Sequence, residues 1–240
     1  YENPVTGRSV YAGPIPTPPP ATATLAQLAD RLARLEDARA IEYLQNAYSY
    51  YLDRWQWDDV ADLFADDGTI ELAQRGVYVG KARVRKFLDL FGVQGLRQGE
   101  VFDHVLYQPV VHVAADGLSA KARVREFSME GRHGVDAAIG GGVYENEFVK
   151  VNGVWKIRSL HFYTTFVADL ARGWAGGPRP AAGTSTVLPP DRPPSVRYQS
   201  YPIFNTHPIH YANPVTGLAP KLIGVAEGRR PEPIVAGDQN

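Results

Sequence analysis

The side chains best suited to proton transfer occur at two places in the sequence. Tyr48 and Asp53 lie at the end of a segment with helical periodicity, separated by about one and a half helical turns. His104 lies in VFDHVLYQPVVHV, and a histidine can accept or donate a proton near neutral pH. Structural roles compete with each of these: Asp53 could cap the next helix, Tyr50 and Tyr51 compete with Tyr48, and His104 could be a core residue.

Strand alternation predicts which side chains accompany His104. One face of its strand would also carry Leu106, Gln108, Val110 and His112. Pro109 predicts a bulge or an edge position in this strand. In the next strand, Lys121, Arg123 and Arg125 share one face, which is typical of a solvated surface. Arg125 or Glu126 could still reach a pocket once that strand twists.

The composition excludes several classes of function. The 240 residues carry a net charge of -1, so no electrostatic footprint for nucleic acid or an anionic membrane is present. The chain has no cysteine, which rules out disulfides and thiolate chemistry. There is no HExxH, GxSxG or phosphate-loop context, so neither a metal nor an organic cofactor is expected. A cytoplasmic location is the default, and a periplasmic one stays open because the sequence begins at Tyr1.

Changes in composition divide the chain into three segments. Residues 1–23 are rich in proline and predict an extended arm, residues 24–172 predict a folded domain, and residues 173–240 predict an extended strap. The strap holds enough aromatic residues to pack on this subunit or on a neighbour. The hexapeptides ENPVTG at 2–7 and ANPVTG at 212–217 are either matching turns at an assembly surface or a chance repeat.

Within the domain, periodicity predicts helices followed by strands. Thr24 is the expected N-cap of a first helix that ends near Arg54, with a possible break at Asp37. The other predicted elements are helices at 57–64 and 81–91, and strands at 69–73, 76–78, 101–113, 119–130, 142–151 and 154–166. Three helices before a curved, mostly antiparallel sheet predict an α+β fold shaped like a cone.

Three motifs carry a resemblance to a known family. LDRWQWDDVADLFADDG, FDHVLYQPVVHV and NGVWKIRSLHFY resemble the SnoaL-like branch of the nuclear transport factor 2-like superfamily, over residues 25–166. That superfamily includes scytalone dehydratase, bile-acid dehydratase, ketosteroid isomerase, polyketide cyclases and non-catalytic dioxygenase small subunits. A looser resemblance is to bacterial diarylpropane lyases. One departure is that the 119–130 strand lacks the second histidine of scytalone dehydratase.

The resemblance implies a set of site residues. It pairs His104, as general acid/base, with Asp53 as the group that orients it, while Tyr48 and Arg158 would hold oxygen substituents. Further residues are expected to bind substrate: Tyr51, Tyr107, Arg125, Asn146, Trp155, His161 and Tyr163. Arg158 and His161 have opposite strand parity, so only one of the two can face a given side.

The implied function is a cofactor-independent lyase that acts on an aromatic or polycyclic small molecule. It would remove water, or release formaldehyde from a lignin-derived diarylpropane diol by retro-aldol cleavage. Two alternatives remain: a non-catalytic binding or assembly subunit, and an isomerase similar to ketosteroid isomerase. The superfamily also implies a homo-oligomer, with a trimer favoured over a dimer.

Overall fold

The computed structural model describes residues 23–203 and 207–220. Contacts divide the chain into two compact units, residues 1–33 and residues 34–240. The described part of the first unit is the start of helix α1 (Leu25–Asp53), where Thr24 and Gln27 cap each other. The Gln27 backbone N–H donates to Thr24 Oγ1 at 3.2 Å, and the Thr24 N–H donates to Gln27 Oε1 at 2.9 Å. The predicted N-cap is confirmed, and the proline-rich arm lies outside the described residues.

The remaining helices are shorter than α1. They are α2 (Trp57–Asp62), α3 (Lys81–Leu88) and α4 (Gly173–Gly176). The predicted break at Asp37 is wrong, because α1 continues through it and ends before Trp55, which has a left-handed backbone. None of the helices in residues 23–203 and 207–220 is both long and apolar enough to span a membrane.

Six strands form one curved sheet in the second unit. They are β1 (Phe64–Leu72), β2 (Val77–Val79), β3 (Glu100–Val113), β4 (Ser119–Arg132), β5 (Asp136–Val151) and β6 (Val154–Asp169). Their order is β2-β1-β6-β5-β4-β3, and all neighbours are antiparallel except β1 and β6. The predicted mostly antiparallel α+β architecture is therefore confirmed.

A bulge in β3 reverses the side-chain alternation of this strand. β3 is an edge strand, and its register with β4 shifts between Tyr107 and Val110, so both expectations from Pro109 are confirmed. Gln108 has a φ of 55° within the bulge. His112 consequently lies on the opposite face from His104, and the expectation that the two share a face is wrong.

The C-terminal strap runs along the sheet of its own chain. The backbone of Val77 forms an antiparallel bridge with Arg192. The Tyr78 hydroxyl donates to the Leu188 carbonyl at 2.8 Å, and Ser195 Oγ donates to Glu71 Oε2 at 2.7 Å. These contacts compensate for the lack of regular secondary structure, since α4 is the only helix in the described part of the strap.

Candidate active site

A cavity of about 230 Å³ lies between α1, the inner face of the sheet and the strap. Apolar side chains from α1, the sheet and the strap form the walls of the cavity, and polar side chains project between them. The lining includes Tyr48, Leu52, Leu72, Arg75, Phe91, Phe102, His104, Glu126, Ser128, Glu130, Tyr144, Phe162, Thr164, Arg179 and Pro180. A larger and more open depression of about 980 Å³ lies along residues 129–139, and it lacks the paired imidazole and carboxylate of the smaller cavity. The chemistry is concentrated in the smaller cavity.

The last turn of α1 fixes both the backbone and the ring of His104. Asp53 Oδ1 accepts the backbone N–H of His104 at 2.8 Å and lies 3.2 Å from its Nδ1. Ser49, one turn earlier on the same helix face, donates from Oγ to the His104 carbonyl. Because Nδ1 is bound to the carboxylate, Nε2 is left as the nitrogen available for chemistry.

Three carboxylates surround the buried ring of His104. Nε2 lies 3.7 Å from Glu130 Oε1, and the residue is 7% exposed. Burial alone would lower the pKa of His104, but the hydrogen bond to Asp53 and the charges of Glu130 and Glu126 raise that pKa to about 10. His104 is therefore an imidazolium at neutral pH, with a proton to donate.

A tyrosine and a carboxyl form a second polar group in the same cavity. The Tyr144 hydroxyl donates to Glu126 Oε2 at 2.5 Å, and both side chains are buried. Burial raises the pKa of Glu126, although the charge of His104 and the hydrogen bond from Tyr144 oppose this shift. A carboxylate with a raised pKa is a stronger base than an exposed one.

Tyr48 lies beside this pair with an unsatisfied hydroxyl. Its ring meets the Tyr144 ring edge-on, with 6.0 Å between centroids. The side chain is fully buried, and among the described residues its hydroxyl makes no well-formed hydrogen bond, although it interacts with the Tyr144 hydroxyl. Burial and the neighbouring Glu126 raise the pKa of Tyr48, which keeps the group protonated. A buried hydroxyl of this kind is available to a ligand oxygen.

Four of the expected site residues do not line this cavity. The side chain of Arg158 is 54% exposed and pairs with Asp67 at 3.5 Å, so the expectation that it holds a substrate oxygen is not supported. Arg125 is exposed because it alternates with the buried Glu126. Tyr107 is 40% exposed next to the bulge, and Tyr51 is a half-buried residue that packs against the core.

Asn146 and Trp155 are buried, but they join the sheet to α1 instead of facing the cavity. Asn146 donates from Nδ2 to Gln45 Oε1 at 2.7 Å and accepts the backbone N–H of His161 at 2.9 Å. Trp155 donates from Nε1 to Asp37 Oδ1 at 2.8 Å. Their polar atoms are therefore used within the protein, which argues against a role in substrate binding.

His161 and Tyr163 lie on the outer face of β6, under the strap. Their rings stack at 3.9 Å, and Tyr163 also lies 4.8 Å from the ring of His207. Burial lowers the pKa of His161 to about 4, so this imidazole is neutral. The inner face of β6 instead contributes Phe162 and Thr164 to the cavity. The expectation that His161 and Tyr163 bind substrate is therefore not supported, because their side chains lie on the face of β6 opposite to the cavity.

The structure also brings in residues that the sequence analysis did not select. Tyr144, Glu130, Arg75 and Arg179 line the cavity, and Glu126 was only one of two options. Glu126 had a usable signal, since it continues the buried alternation of Ala122 and Val124. No sequence pattern pointed to Arg75 or Arg179, because Arg75 lies in a turn and Arg179 lies in the strap, and neither segment has a regular period.

Comparison with known proteins agrees with this architecture. The model of the SnoaL-like domain family matches residues 33–161, which is more than half of the chain. Among curated proteins, none matches the chain.

Two solved structures show the same fold. One is a scytalone dehydratase-like protein of Novosphingobium aromaticivorans DSM 12444, with 24% identity over 65% of this chain and 97% of the other, and a TM-score of 0.52. The second is the hexachlorocyclohexane dehydrochlorinase LinA-type3 of Novosphingobium barchaimii LL02, with 21% identity over 59% and 94% of the two chains and a TM-score of 0.51. The chain belongs to the SnoaL-like domain family and has the α+β fold of the nuclear transport factor 2-like superfamily.

Proposed function

We propose that the protein is a lyase that uses only its own side chains to eliminate a small group from an aromatic or polycyclic substrate. The observation that carries this proposal is the buried His104, with Nδ1 3.2 Å from Asp53 and with Glu126 in the same cavity. A proton donor for a departing hydroxyl and a proton acceptor for the substrate proton, held in one cavity, are the two groups that an acid/base-catalysed elimination of water uses.

The electrostatics favour distinct roles for the two groups. His104 is held protonated by Asp53, so its Nε2–H can be given to a departing hydroxyl, which leaves as water. Glu126, with its raised pKa, can take the proton that the substrate loses. The proton gained by Glu126 then replaces the one lost by His104, through the cavity or through solvent. Asp53 orients the ring, and the free hydroxyl of Tyr48 can hold a substrate oxygen.

The same two groups serve either of two reactions. If Glu126 takes a proton from carbon, the products are an alkene and water. If it takes the proton of a hydroxymethyl group, a carbon–carbon bond breaks, and the products are an alkene, formaldehyde and water. The names of the two structural relatives, a dehydratase and a dehydrochlorinase, both describe eliminations. An isomerase would differ only in where the proton returns.

A non-catalytic subunit is the competing hypothesis, and the cavity argues against it. A scaffold would fill this space with its own side chains, whereas about 230 Å³ stays open beside His104. Ionisable groups buried around an open volume are costly to a protein that does not use them.

Incubation of the purified protein with aromatic 1,3-diols, followed by assays for the alkene and for formaldehyde, tests the proposal. Formaldehyde would identify carbon–carbon cleavage, and alkene alone would identify dehydration. His104→Gln and Glu126→Gln should each lower kcat by about 100-fold or more. Arg39→Gln is the matched control, because its side chain is 84% exposed in a surface ion pair with Glu42. Turnover that survives both site substitutions would rule out this mechanism.

A further inference from the structure

Arg75 is a cationic residue in the cavity wall to which the proposed elimination assigns no role. It lies in the connection between β1 and β2 and lines the cavity together with His104 and Glu130. Both of its neighbours are held by the strap: the Gln74 backbone N–H donates to the Ala182 carbonyl at 3.0 Å, and Gly76 packs against Pro190. The backbone that carries Arg75 is therefore fixed relative to the cavity.

The guanidinium of Arg75 lacks a carboxylate partner. Its central carbon lies 5.3 Å from the centroid of the Phe91 ring. Among the described residues it makes no hydrogen bond and no ion pair, in contrast to Arg83, which pairs with Asp191, and Arg85, which pairs with Asp58. Burial lowers the pKa of Arg75, and the interactions with Tyr78 and Glu130 only partly offset this effect. Arg75 is half-buried, and a partly desolvated cation without a charged partner becomes more favourable when a ligand supplies the opposite charge.

The rest of the cavity defines what such a ligand looks like. Phe91, Phe102, Phe162 and Leu72 provide apolar walls for a ring, while His104 and Glu126 lie at the reacting centre. A guanidinium presents several N–H donors in one plane, which matches the two oxygens of a carboxylate or the oxygen of a phenolate. Arg179 lines the same cavity and has one nitrogen 3.3 Å from Asp169, so its charge is already partly neutralised.

We propose that Arg75 binds an anionic oxygen, a carboxylate or a phenolate, on an aromatic substrate. This inference rests on the proposed function and narrows its substrate class from aromatic compounds in general to aromatic anions. Arg75 would thereby take over the oxygen-binding role that the sequence analysis gave to Arg158. It would hold the anionic group of the ring while His104 acts at the reacting centre.

Equilibrium binding of small probes to the full chain tests this without turnover. Isothermal titration calorimetry would compare benzoate with its neutral analogue benzamide, and 4-nitrophenolate would stand for the phenolate. Arg75→Gln should weaken binding of at least one of the anions by about 10-fold or more, and it should change benzamide affinity by less than about two-fold. Arg39→Gln is again the matched control and should leave all affinities unchanged. The anion that loses affinity identifies the group that Arg75 recognises.

Arg75→Lys keeps the proposal testable if the glutamine variant does not fold, which circular dichroism would show. Lysine keeps the positive charge but lacks the planar guanidinium with its paired N–H donors. Anion affinity should therefore fall by about three-fold while benzamide affinity stays constant. Equal losses for anions and benzamide would mean that Arg75 only packs on Phe91, and would overturn the proposal. So would a wild-type protein that binds neither anion.

The failure of one proposal can be distinguished from the failure of the other. If the diols are not converted but Arg75→Gln still weakens anion binding, only the elimination is refuted. If the diols are converted but anion binding does not depend on Arg75, only the role of Arg75 is refuted.

Discussion

One carboxylate oxygen both positions His104 and contributes to keeping its imidazole protonated. Asp53 Oδ1 lies 2.8 Å from the His104 backbone nitrogen and 3.2 Å from Nδ1. Any movement of β3 away from α1 would therefore weaken the orientation of the ring and the stabilisation of its proton together. Because Asp53 ends α1, the position of the helix end has a direct effect on the chemistry of the cavity.

Asp53→Asn should lower the stability of the folded protein near neutral pH by about 1.5–3 kcal/mol, because the protonated His104 loses a charged hydrogen-bond partner. The pKa of His104 is raised from 6.5 to about 10, so the stabilisation by its proton is complete below about pH 6.5 and is lost as the pH rises through about 10. The difference between wild type and variant should therefore shrink between pH 7 and pH 10.5. Urea unfolding at both pH values measures this, and a constant difference would contradict a protonated His104.

Two neighbouring tyrosines should respond oppositely to the loss of a hydroxyl. Tyr48→Phe removes a buried hydroxyl that makes no well-formed hydrogen bond among the described residues, so the free energy of unfolding should stay within about 0.5 kcal/mol of wild type or rise. Tyr144→Phe leaves Glu126 without its donor at 2.5 Å and should cost about 1–3 kcal/mol.

Kinetic measurements show whether Tyr48 also contributes to substrate binding or turnover. If Tyr48 holds a substrate oxygen, Tyr48→Phe should lower kcat/KM by about 10-fold despite its normal stability. Thermal unfolding and steady-state kinetics on both variants provide the comparison. Unchanged kinetics in Tyr48→Phe would remove Tyr48 from the site and leave it as a core residue.

At the scale of elements, the sequence predicted those that obey a regular period. Helical spacing predicted α1 and its N-cap, and Asn152-Gly153 predicted the hairpin between β5 and β6. Alternation also put Glu126 and Arg125 on opposite faces of β4, but it did not decide between them: Arg125 was expected to bind substrate, and the buried residue is Glu126. These predictions depend only on local geometry, which the sequence contains.

Alternation failed where long-range contacts or irregular backbone decide the outcome. The bulge at Gln108 reverses the parity of β3, so a count of residues from His104 places His112 on the wrong face. The strap covers the outer face of β6 at Tyr163, where the Tyr198 ring packs and the Tyr198 hydroxyl accepts the Thr164 backbone N–H at 2.8 Å. The strap has no periodicity, so its position, and with it the location of His161 and Tyr163, could not be inferred.

For the molecule as a whole, the strap completes both the sheet and the cavity. Arg179, Pro180 and Ala182 form part of the cavity wall, and Ser195 donates two hydrogen bonds to the buried carboxylate of Glu71. Strap residues His210 and Tyr211 pack on His112 near the end of β3, but within the described residues the first half of this strand keeps exposed apolar side chains: Val101 and Val105 are 49% and 51% exposed. Exposed apolar residues on an edge strand are consistent with self-association, and the trimer stays a prediction.

Truncation after Gly177 should destabilise the protein and abolish substrate turnover. The truncated chain would lack Arg179 and the rest of the strap wall, which opens the cavity to water, and Glu71 would lose both donors from Ser195. Loss of one buried charged hydrogen bond alone costs about 1.5–3 kcal/mol, so the melting temperature should fall by several degrees or more.

Truncation after Pro220 is the matched control, because it keeps every strap contact described above. Thermal unfolding, turnover and sedimentation should be compared for both truncated chains. A lower oligomeric state after the Gly177 truncation alone would add an assembly role for the strap, and full activity after that truncation would show that the strap is not part of the site.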